Sequence, residues 1–155
     1  QSETNNIRNL RMSINDYRIN RIIGKGSFAT VFKAFSRKTQ KPVAIKIFSK
    51  KMSKQEEELA RKEVSISRTI DHPNIIHLYD EFRRNDTWYM VFEYCGKGDL
   101  DKLVGKKGTH KYYVGMLKEE IVALLAVELV EAVFYLAEKN IAHRDIKPAN
   151  ILITD

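Results

Sequence analysis

Residues His143 to Asn150 read H-R-D-I-K-P-A-N, directly after a long apolar segment. Asp145 is followed two residues on by Lys147 and five residues on by the amide of Asn150. A carboxylate can accept the proton of an attacking hydroxyl, an ammonium can neutralise charge on a transferred phosphoryl group, and an amide oxygen can ligate a metal ion. The spacing therefore predicts a phosphoryl-transfer site rather than a surface turn with accidental polar residues.

The segment before this motif, Lys118 to Lys139, is apolar on almost every face, which predicts a buried helix. Its longest apolar run, Ile121 to Val127, is ended by Glu128. That run is far shorter than the roughly 18 residues that a spanning helix needs. No membrane span is predicted.

Nearer the amino terminus, G-K-G-S-F-A-T-V occupies Gly24 to Val31, with strand-forming residues on both sides. Glycine at this spacing lets backbone amides approach phosphate oxygens. A dinucleotide-binding loop would lead from a strand into a helix, and a Walker loop would end in Gly-Lys-Ser or Gly-Lys-Thr. Both are excluded, and the motif by itself leaves a plain hairpin turn and a phosphate-binding hairpin as alternatives.

Two charged residues stand where the pattern predicts a core. Lys46 shares a face of the strand 43–48 with Ala44, and Glu63 lies on the apolar stripe of a helix predicted over 55–70. The other members of that stripe are Leu59, Ile66 and Ile70. Leaving a buried charge unpaired costs about several kcal/mol of folding free energy. Lys46 and Glu63 together therefore predict a partly buried ion pair.

The remaining pattern predicts strands at 17–23, 31–35, 75–82 and 88–94, and a polar leader over residues 1–16. Five strands with one helix inserted, followed by helix, indicate an α+β fold. The connections between the first three strands are short, which indicates antiparallel pairing.

Composition excludes several classes of protein. The 155 residues carry a net charge of +7, with 18 basic and 10 acidic residues up to Phe92. No basic stripe interleaved with aromatic residues accompanies this charge, so nucleic-acid binding is not expected. The single cysteine, Cys95, cannot form an internal disulfide, and the first residues lack an apolar signal core. A cytoplasmic or nuclear location is the expectation.

In combination, these motifs resemble the front part of a eukaryotic protein kinase domain, from about Tyr17 to Asp155. The motifs that carry the resemblance are the glycine loop, V-A-I-K at 43–46, Glu63, H-P-N-I at 72–75 and H-R-D at 143–145. The resemblance implies a two-lobed fold, with a leader at 1–16, a complete small lobe at 17–92, and the hinge and start of the helical large lobe at 93–155. ATP is then expected in the cleft between the lobes.

The resemblance also implies roles for individual residues. Lys46 would contact the α and β phosphates of ATP while paired with Glu63, Asp145 would be the catalytic base, Lys147 would neutralise the γ phosphate, and Asn150 would hold Mg²⁺. The implied nucleotide site comprises Gly24 and Gly26 at the phosphates, Ile23, Val31, Ala44 and Leu152 around adenine, the backbone of Glu93 and Cys95 at its edge, Phe92 behind it, and Asp99 at the ribose or a substrate residue.

The implied activity is transfer of the γ-phosphoryl group from ATP to Ser or Thr hydroxyls of protein substrates. Lys147 after H-R-D-I is typical of the serine/threonine type. The alternative is a pseudokinase or nucleotide-binding regulatory module that binds a partner without catalysis. The segments G-K-G-S-F-A-T-V-F-K-A and E-Y-C-G-K-G-D-L most resemble Unc-51-like and polo-like kinases, with Aurora and calcium-regulated kinases close to them.

Two features depart from the family pattern. Ala29 stands where the family loop has its third glycine, as it does in polo-like and Unc-51-like kinases. The sequence starts without Met and stops at Asp155, before the D-F-G segment that would supply a second magnesium ligand. We therefore expect a fragment that is inactive by itself.

Overall fold

The computed structural model describes residues 13–104 and 117–154. Their contacts form two compact units. The first comprises residues 13–70 with His77–Glu93, and the second comprises Asp71–Ile76 with residues 94–104 and 117–154.

The first unit is a five-stranded antiparallel sheet with one helix, as the sequence predicts. The strands are β1 (Tyr17–Lys25), β2 (Ala29–Ser36), β3 (Pro42–Phe48), β4 (Leu78–Arg84) and β5 (Thr87–Glu93). Helix α1 (Lys54–Ser67) lies between β3 and β4 in the sequence. The strand order in the sheet is β1-β2-β3-β5-β4, so β3 is the central strand.

Alternation along β3 gives the sheet two apolar faces. Val43 and Ile45 belong to a buried cluster on one face, with Tyr17, Ala34 and Val91. Phe48 belongs to a second cluster with Met90 and two residues of α1. Because successive side chains of a strand point to opposite faces, Lys46 lies on the same face as Phe48, the face that α1 covers.

Helix α1 contacts the sheet through a different stripe from the one predicted. Its buried residues are Ala60 and Val64, whereas Leu59 and Ile66 are 55% and 42% exposed. The predicted stripe is therefore wrong by about 100°, the rotation of one helical residue. Small side chains allow the helix to approach the sheet closely, and Glu63 lies at the edge of the true stripe. The helix begins at a capping box between Ser53 and Glu56 and ends at Ser67, three residues before the predicted end.

Ion pairs add to this small apolar contact. Glu63 pairs with Lys46 of β3, Arg68 just after the helix pairs with Glu81 of β4, and Glu57 lies 3.5 Å from Arg83 of β4. Ion pairs thus link α1 to the sheet near its start, in its second half and just after its end.

The end of the predicted leader is ordered. Residues Ile14–Asp16 form a 3₁₀ helix that is capped by Ser13, and Ile14 packs against the apolar cluster that includes Tyr17. Arg37 Nε donates to the Asn15 carbonyl at 3.1 Å, and Arg84 Nη1 donates to Asn15 Oδ1 at 3.2 Å. Residues 13–16 of the predicted polar leader are therefore ordered, because Arg37 just after β2 and Arg84 of β4 bind the backbone and side chain of Asn15. The rest of the predicted leader lies outside the described residues.

The second unit contains α2 (Leu100–Val104), α3 (Glu119–Glu138) and a short antiparallel pair, β6 (Gly98–Asp99) with β7 (Leu152–Ile153). Gly98 has φ +81°, a conformation that favours glycine, at the start of β6. Helix α3 buries only Ala132 and Leu136, and leaves Phe134 64% exposed. Within the described part of the chain, no element covers most of the apolar surface of this helix.

Residues 71–76 belong to the second unit, although the predicted small lobe ran from 17 to 92 without interruption. The Asp71 N–H donates to Tyr135 Oη of α3 at 2.9 Å, and the His72 ring lies 4.9 Å from the Tyr135 ring between centroids. These contacts tie the segment to α3. The Ile75 N–H donates to the His72 carbonyl at 3.1 Å and closes a turn. Strand β4 therefore begins at Leu78 rather than at the predicted Ile75.

Candidate active site

The predicted ion pair between Lys46 and Glu63 is present in the first unit. Central strand β3 supplies the ammonium and α1 supplies the carboxylate, which accepts a hydrogen bond from it. The two side chains are 22% and 34% exposed. The ammonium is thus largely withdrawn from water but remains accessible to a ligand, as a phosphate-binding lysine requires.

Two aromatic rings complete the surroundings of Lys46. Its Nζ lies 5.0 Å from the centroid of the Phe48 ring and 5.9 Å from that of Phe28. The sequence analysis missed both. Phe48 could have been found, because it follows Lys46 by two positions on the same strand face. Phe28 lies in the glycine loop, and no periodicity of the sequence indicates where its ring points.

The glycine loop is the connection between β1 and β2. The Gly26 N–H donates to the Ala29 carbonyl at 2.8 Å, which closes the turn, so this amide is already used within the loop. Gly24 pairs with Val31, and a Cβ added to Gly24 would meet the Val31 side chain at an ordinary 3.6 Å. The β1–β2 register shifts between Ile22 and Gly24, and an irregularity of this kind is one structural reason for glycine in a strand. The absence of a side chain at Gly24 also leaves space close to the loop backbone.

The predicted adenine-site residues are divided between the units. Ile23 on β1 is 39% exposed, Val31 on β2 pairs with Lys46, and Ala44 on β3 pairs with Phe92 on β5. The Glu93 N–H donates to the His77 carbonyl at 3.0 Å. These residues all lie in the first unit.

The other three predicted nucleotide residues lie in the second unit. The Cys95 carbonyl accepts a hydrogen bond from the Gly98 N–H at 3.4 Å. Leu152 on β7 pairs with Asp99 on β6, so the predicted adenine and ribose residues of this unit are neighbours. Leu152 is 40% exposed.

Asp99 is held by a lysine that the sequence analysis did not single out. Lys102 donates its backbone N–H to Asp99 Oδ1 at 2.9 Å and its ammonium to Oδ2 at 2.5 Å. The Lys102 hydrogen bond is the main reason why the pKa of Asp99 lies below the ordinary aspartate value, although partial burial opposes this shift. Both oxygens are therefore occupied, and a ribose hydroxyl or a basic substrate residue would share Asp99 with Lys102.

The residues of the H-R-D-I-K-P-A-N segment converge on one carboxylate. Lys147 Nζ lies 2.9 Å from Asp145 Oδ2, and Asn150 Nδ2 donates to the same oxygen at 2.9 Å. Asn150 Nδ2 also donates to the Asp145 carbonyl at 2.8 Å. The chain can turn back in this way because Pro148–Asn150 forms a 3₁₀ helix with proline in its first turn.

Asp145 remains ionised and open to solvent. The Lys147 hydrogen bond, followed by that of Asn150, lowers its pKa below the ordinary aspartate value. Its side chain is 61% exposed. His143 Nδ1 accepts the Asp145 N–H at 3.3 Å, and Arg144 between them has φ +66°. The arrangement presents an anionic acceptor beside a cation, which is the chemistry of proton removal next to a charged leaving or transferred group.

Comparison with known protein families decides the identity of the fold. The family described as "Protein kinase domain" matches residues 17–155. The chain belongs to the protein kinase family. The five-stranded antiparallel sheet with its helix is the small lobe of that domain, and the second unit is the start of the large lobe.

Individual protein kinases match across most of the chain. Calcium-dependent protein kinase 5 of Plasmodium falciparum is 42% identical over 141 residues, which cover 90% of this chain and 23% of that protein. The serine/threonine-protein kinase ATG1 of Debaryomyces hansenii is 37% identical, covering 91% of this chain and 18% of that protein. The serine/threonine-protein kinase ULK3 of Xenopus laevis is 36% identical, covering 91% and 29%. The chain thus spans about a fifth to under a third of these relatives.

Protein kinases in general use ATP, Mg²⁺ and protein substrates. Within residues 13–104 and 117–154, no helix is long and apolar enough to cross a membrane. The same described ranges contain no cluster of three His, Cys, Asp or Glu side chains suited to a metal ion. A protein kinase needs none, because Mg²⁺ is bound by few protein groups together with substrate phosphates.

Proposed function

We propose that the protein carrying this chain transfers the γ-phosphoryl group of ATP to Ser or Thr hydroxyls of protein substrates. The convergence of Lys147 and Asn150 on Asp145 carries the proposal. It provides a solvent-open base and a neighbouring cation in one short segment. The names of the serine/threonine-protein kinases that resemble this chain support the choice of acceptor.

Asp145 would accept the proton of the substrate hydroxyl as that oxygen bonds to the γ phosphorus and the bond from phosphorus to the β-phosphate oxygen breaks. ADP then leaves with the electron pair of the broken bond. Asp145 is ionised at neutral pH, and the Lys147 hydrogen bond, which lowers its pKa below the ordinary aspartate value, keeps it so. Its carboxylate would therefore be available to accept the proton. Lys147 would offset the negative charge of the transferred group from its position beside Asp145.

Lys46 would bind the α and β phosphates. Its partner Glu63 orients the ammonium, and the partial burial of the pair strengthens its attraction for a phosphate compared with a lysine in free water. Glycine at position 24 leaves room for phosphate oxygens near the loop backbone.

Asn150 fits a role in holding Mg²⁺. Its Nδ2 makes both of its hydrogen bonds to Asp145, so Oδ1 is left as an oxygen ligand in the described part of the chain. When bound, the ion would neutralise phosphate charge. Lys46 and Lys147 would add positive charges that belong to the protein itself.

The test is phosphotransfer from labelled ATP to casein and myelin basic protein by the natural full-length protein, followed by phosphoamino-acid analysis. Asp145→Asn should lower kcat by about 10²- to 10⁴-fold while the Kd for Mg-ATP stays within about twofold. Asp86→Asn is the matched control, because Asp86 is 92% exposed on the β4–β5 turn. Label on tyrosine, or equal rates for Asp145→Asn and wild type, would refute the proposal. Binding of ATP without phosphotransfer would instead favour a nucleotide-binding regulatory module.

A further inference from the structure

The ammonium of Lys46 is enclosed on three sides by groups of its own unit. Glu63 accepts its hydrogen bond, and the rings of Phe48 and Phe28 lie 5.0 and 5.9 Å away. Both distances are within the about 6 Å at which an aromatic ring attracts a cation. The two rings therefore act on Lys46 electrostatically as well as by excluding water.

The two rings reach Lys46 in different ways. Phe48 is on the same strand face as Lys46 and is only 2% exposed, so the sheet fixes its position. Phe28 is in the loop between β1 and β2, outside any regular element. A loop residue reaches this place only if specific contacts bring it there.

Three contacts anchor Phe28. Its ring stacks on Phe48, with the centroids 6.2 Å apart and the planes 22° apart. Its carbonyl accepts the Ser49 N–H at 2.8 Å, just after the end of β3. Phe28 also packs against the apolar cluster that contains Ala60 and Val64 of α1. The ring is thus held both by its backbone and by its side chain.

We propose that Phe28 is a positioning residue that holds the Lys46 ammonium beside Glu63 in readiness for the phosphates of ATP. The inference rests on the proposed function, since it assumes that Lys46 binds phosphate. A lysine side chain has four rotatable bonds, and a ring on the loop side removes the conformers in which the ammonium turns into water. The glycine loop and α1 then act on the same lysine, the loop through Phe28 and the helix through Glu63.

The test is the Kd for Mg-ATP of the natural full-length protein, measured by titration calorimetry. Phe28→Leu keeps the apolar bulk and removes the ring, and should raise the Kd about fivefold. Phe28→Tyr restores a ring and should return the Kd to within about twofold of wild type. Phe35→Leu is the matched control, because Phe35 of β2 also lies beside two cations, Arg18 of β1 and Lys33 of β2. It should leave the Kd unchanged.

A double-mutant cycle separates positioning from a merely structural effect. If Phe28 acts through the lysine, Phe28→Leu should have no further effect on the Kd in a Lys46→Met background. An equal loss in both backgrounds would overturn the proposal, and so would a Kd for Phe28→Leu equal to or lower than that of wild type.

A second readout does not depend on nucleotide. In carbon-edited NMR, the rings should shift the Lys46 ε-methylene resonance upfield, and Phe28→Leu should remove part of that shift while Phe35→Leu should not. An unchanged resonance in Phe28→Leu would refute the positioning of Lys46 by Phe28. Failure of the wild-type protein to bind Mg-ATP, with the resonance behaving as expected, would refute the proposed function alone.

Discussion

Replacing Glu63 by Gln tests how much the ion pair with Lys46 contributes to catalysis. The substitution keeps the size of the side chain and removes its charge. A hydrogen bond to a charged group contributes about 1.5–3 kcal/mol, and water screens part of this because the two side chains are 22% and 34% exposed. Taking about 1.4 kcal/mol, we expect kcat/KM for ATP to fall about tenfold.

The assay is the initial rate of phosphotransfer by the natural full-length protein at varied ATP and fixed protein substrate. The control is Glu58→Gln on the same helix, because Glu58 pairs with Lys62 while both are about two-thirds exposed (67% and 66%). Such a pair contributes little, so the control should stay within about twofold of wild type. Equal kcat/KM values for Glu63→Gln and Glu58→Gln would show that the partner of Lys46 is unimportant and would refute the reasoning.

Two further substitutions test the packing of the first unit. Val64→Ala should lower the local stability of α1 by about 2 kcal/mol, and Leu59→Ala by less than about 0.5 kcal/mol, since Val64 is 3% exposed and Leu59 is 55% exposed. Hydrogen exchange of the α1 amides measures both losses of stability. A larger loss for Leu59→Ala than for Val64→Ala would support the stripe predicted from the sequence. Asp80→Asn should raise the melting temperature at pH 7, because Asp80 Oδ2 is buried without a described partner and burial, reinforced by Asp16, raises the pKa of Asp80. Because the pKa of Asp80 is raised in the folded state, ionised Asp80 destabilises the fold at pH values above that pKa. The increase in melting temperature caused by Asp80→Asn should therefore shrink as the pH falls through this pKa. An increase that does not depend on pH would contradict this account.

The sequence predicted the features that depend on local pattern. The pattern of residues 43–48 indicated a strand, and a lysine and a glutamate at predicted core positions indicated an ion pair that the structure contains. The H-R-D-I-K-P-A-N segment indicated a carboxylate with a lysine and an amide near it, and its turn brings all three together. The strand and the turn involve residues that are close in the sequence. Lys46 and Glu63 are 17 positions apart, and their pairing was predicted because each charge lies where the pattern of its own strand or helix predicts a core.

The failures concern contacts between distant segments. The pattern could not tell which stripe of α1 faces the sheet, because Ala60 is less apolar than Leu59 but small enough to allow close approach. It did not show that Arg37 and Arg84 would hold Asn15, or that Tyr135 would bind the backbone of Asp71. Each of these contacts joins residues at least 22 positions apart, and nothing in a one-dimensional pattern relates them.

The attachment of α1 to its sheet has a consequence for the response of the protein to ionic strength. Two residues of the helix are buried, and the ion pairs of Glu57, Glu63 and Arg68 add to this apolar contact. The screening length of water falls from about 8 Å at physiological salt to about 3 Å at 1 M. Added potassium chloride should therefore loosen α1 well before it affects the sheet, whose core strands are held by burial and backbone hydrogen bonds. High salt would therefore weaken mainly the attachment of α1, the helix whose Glu63 pairs with Lys46.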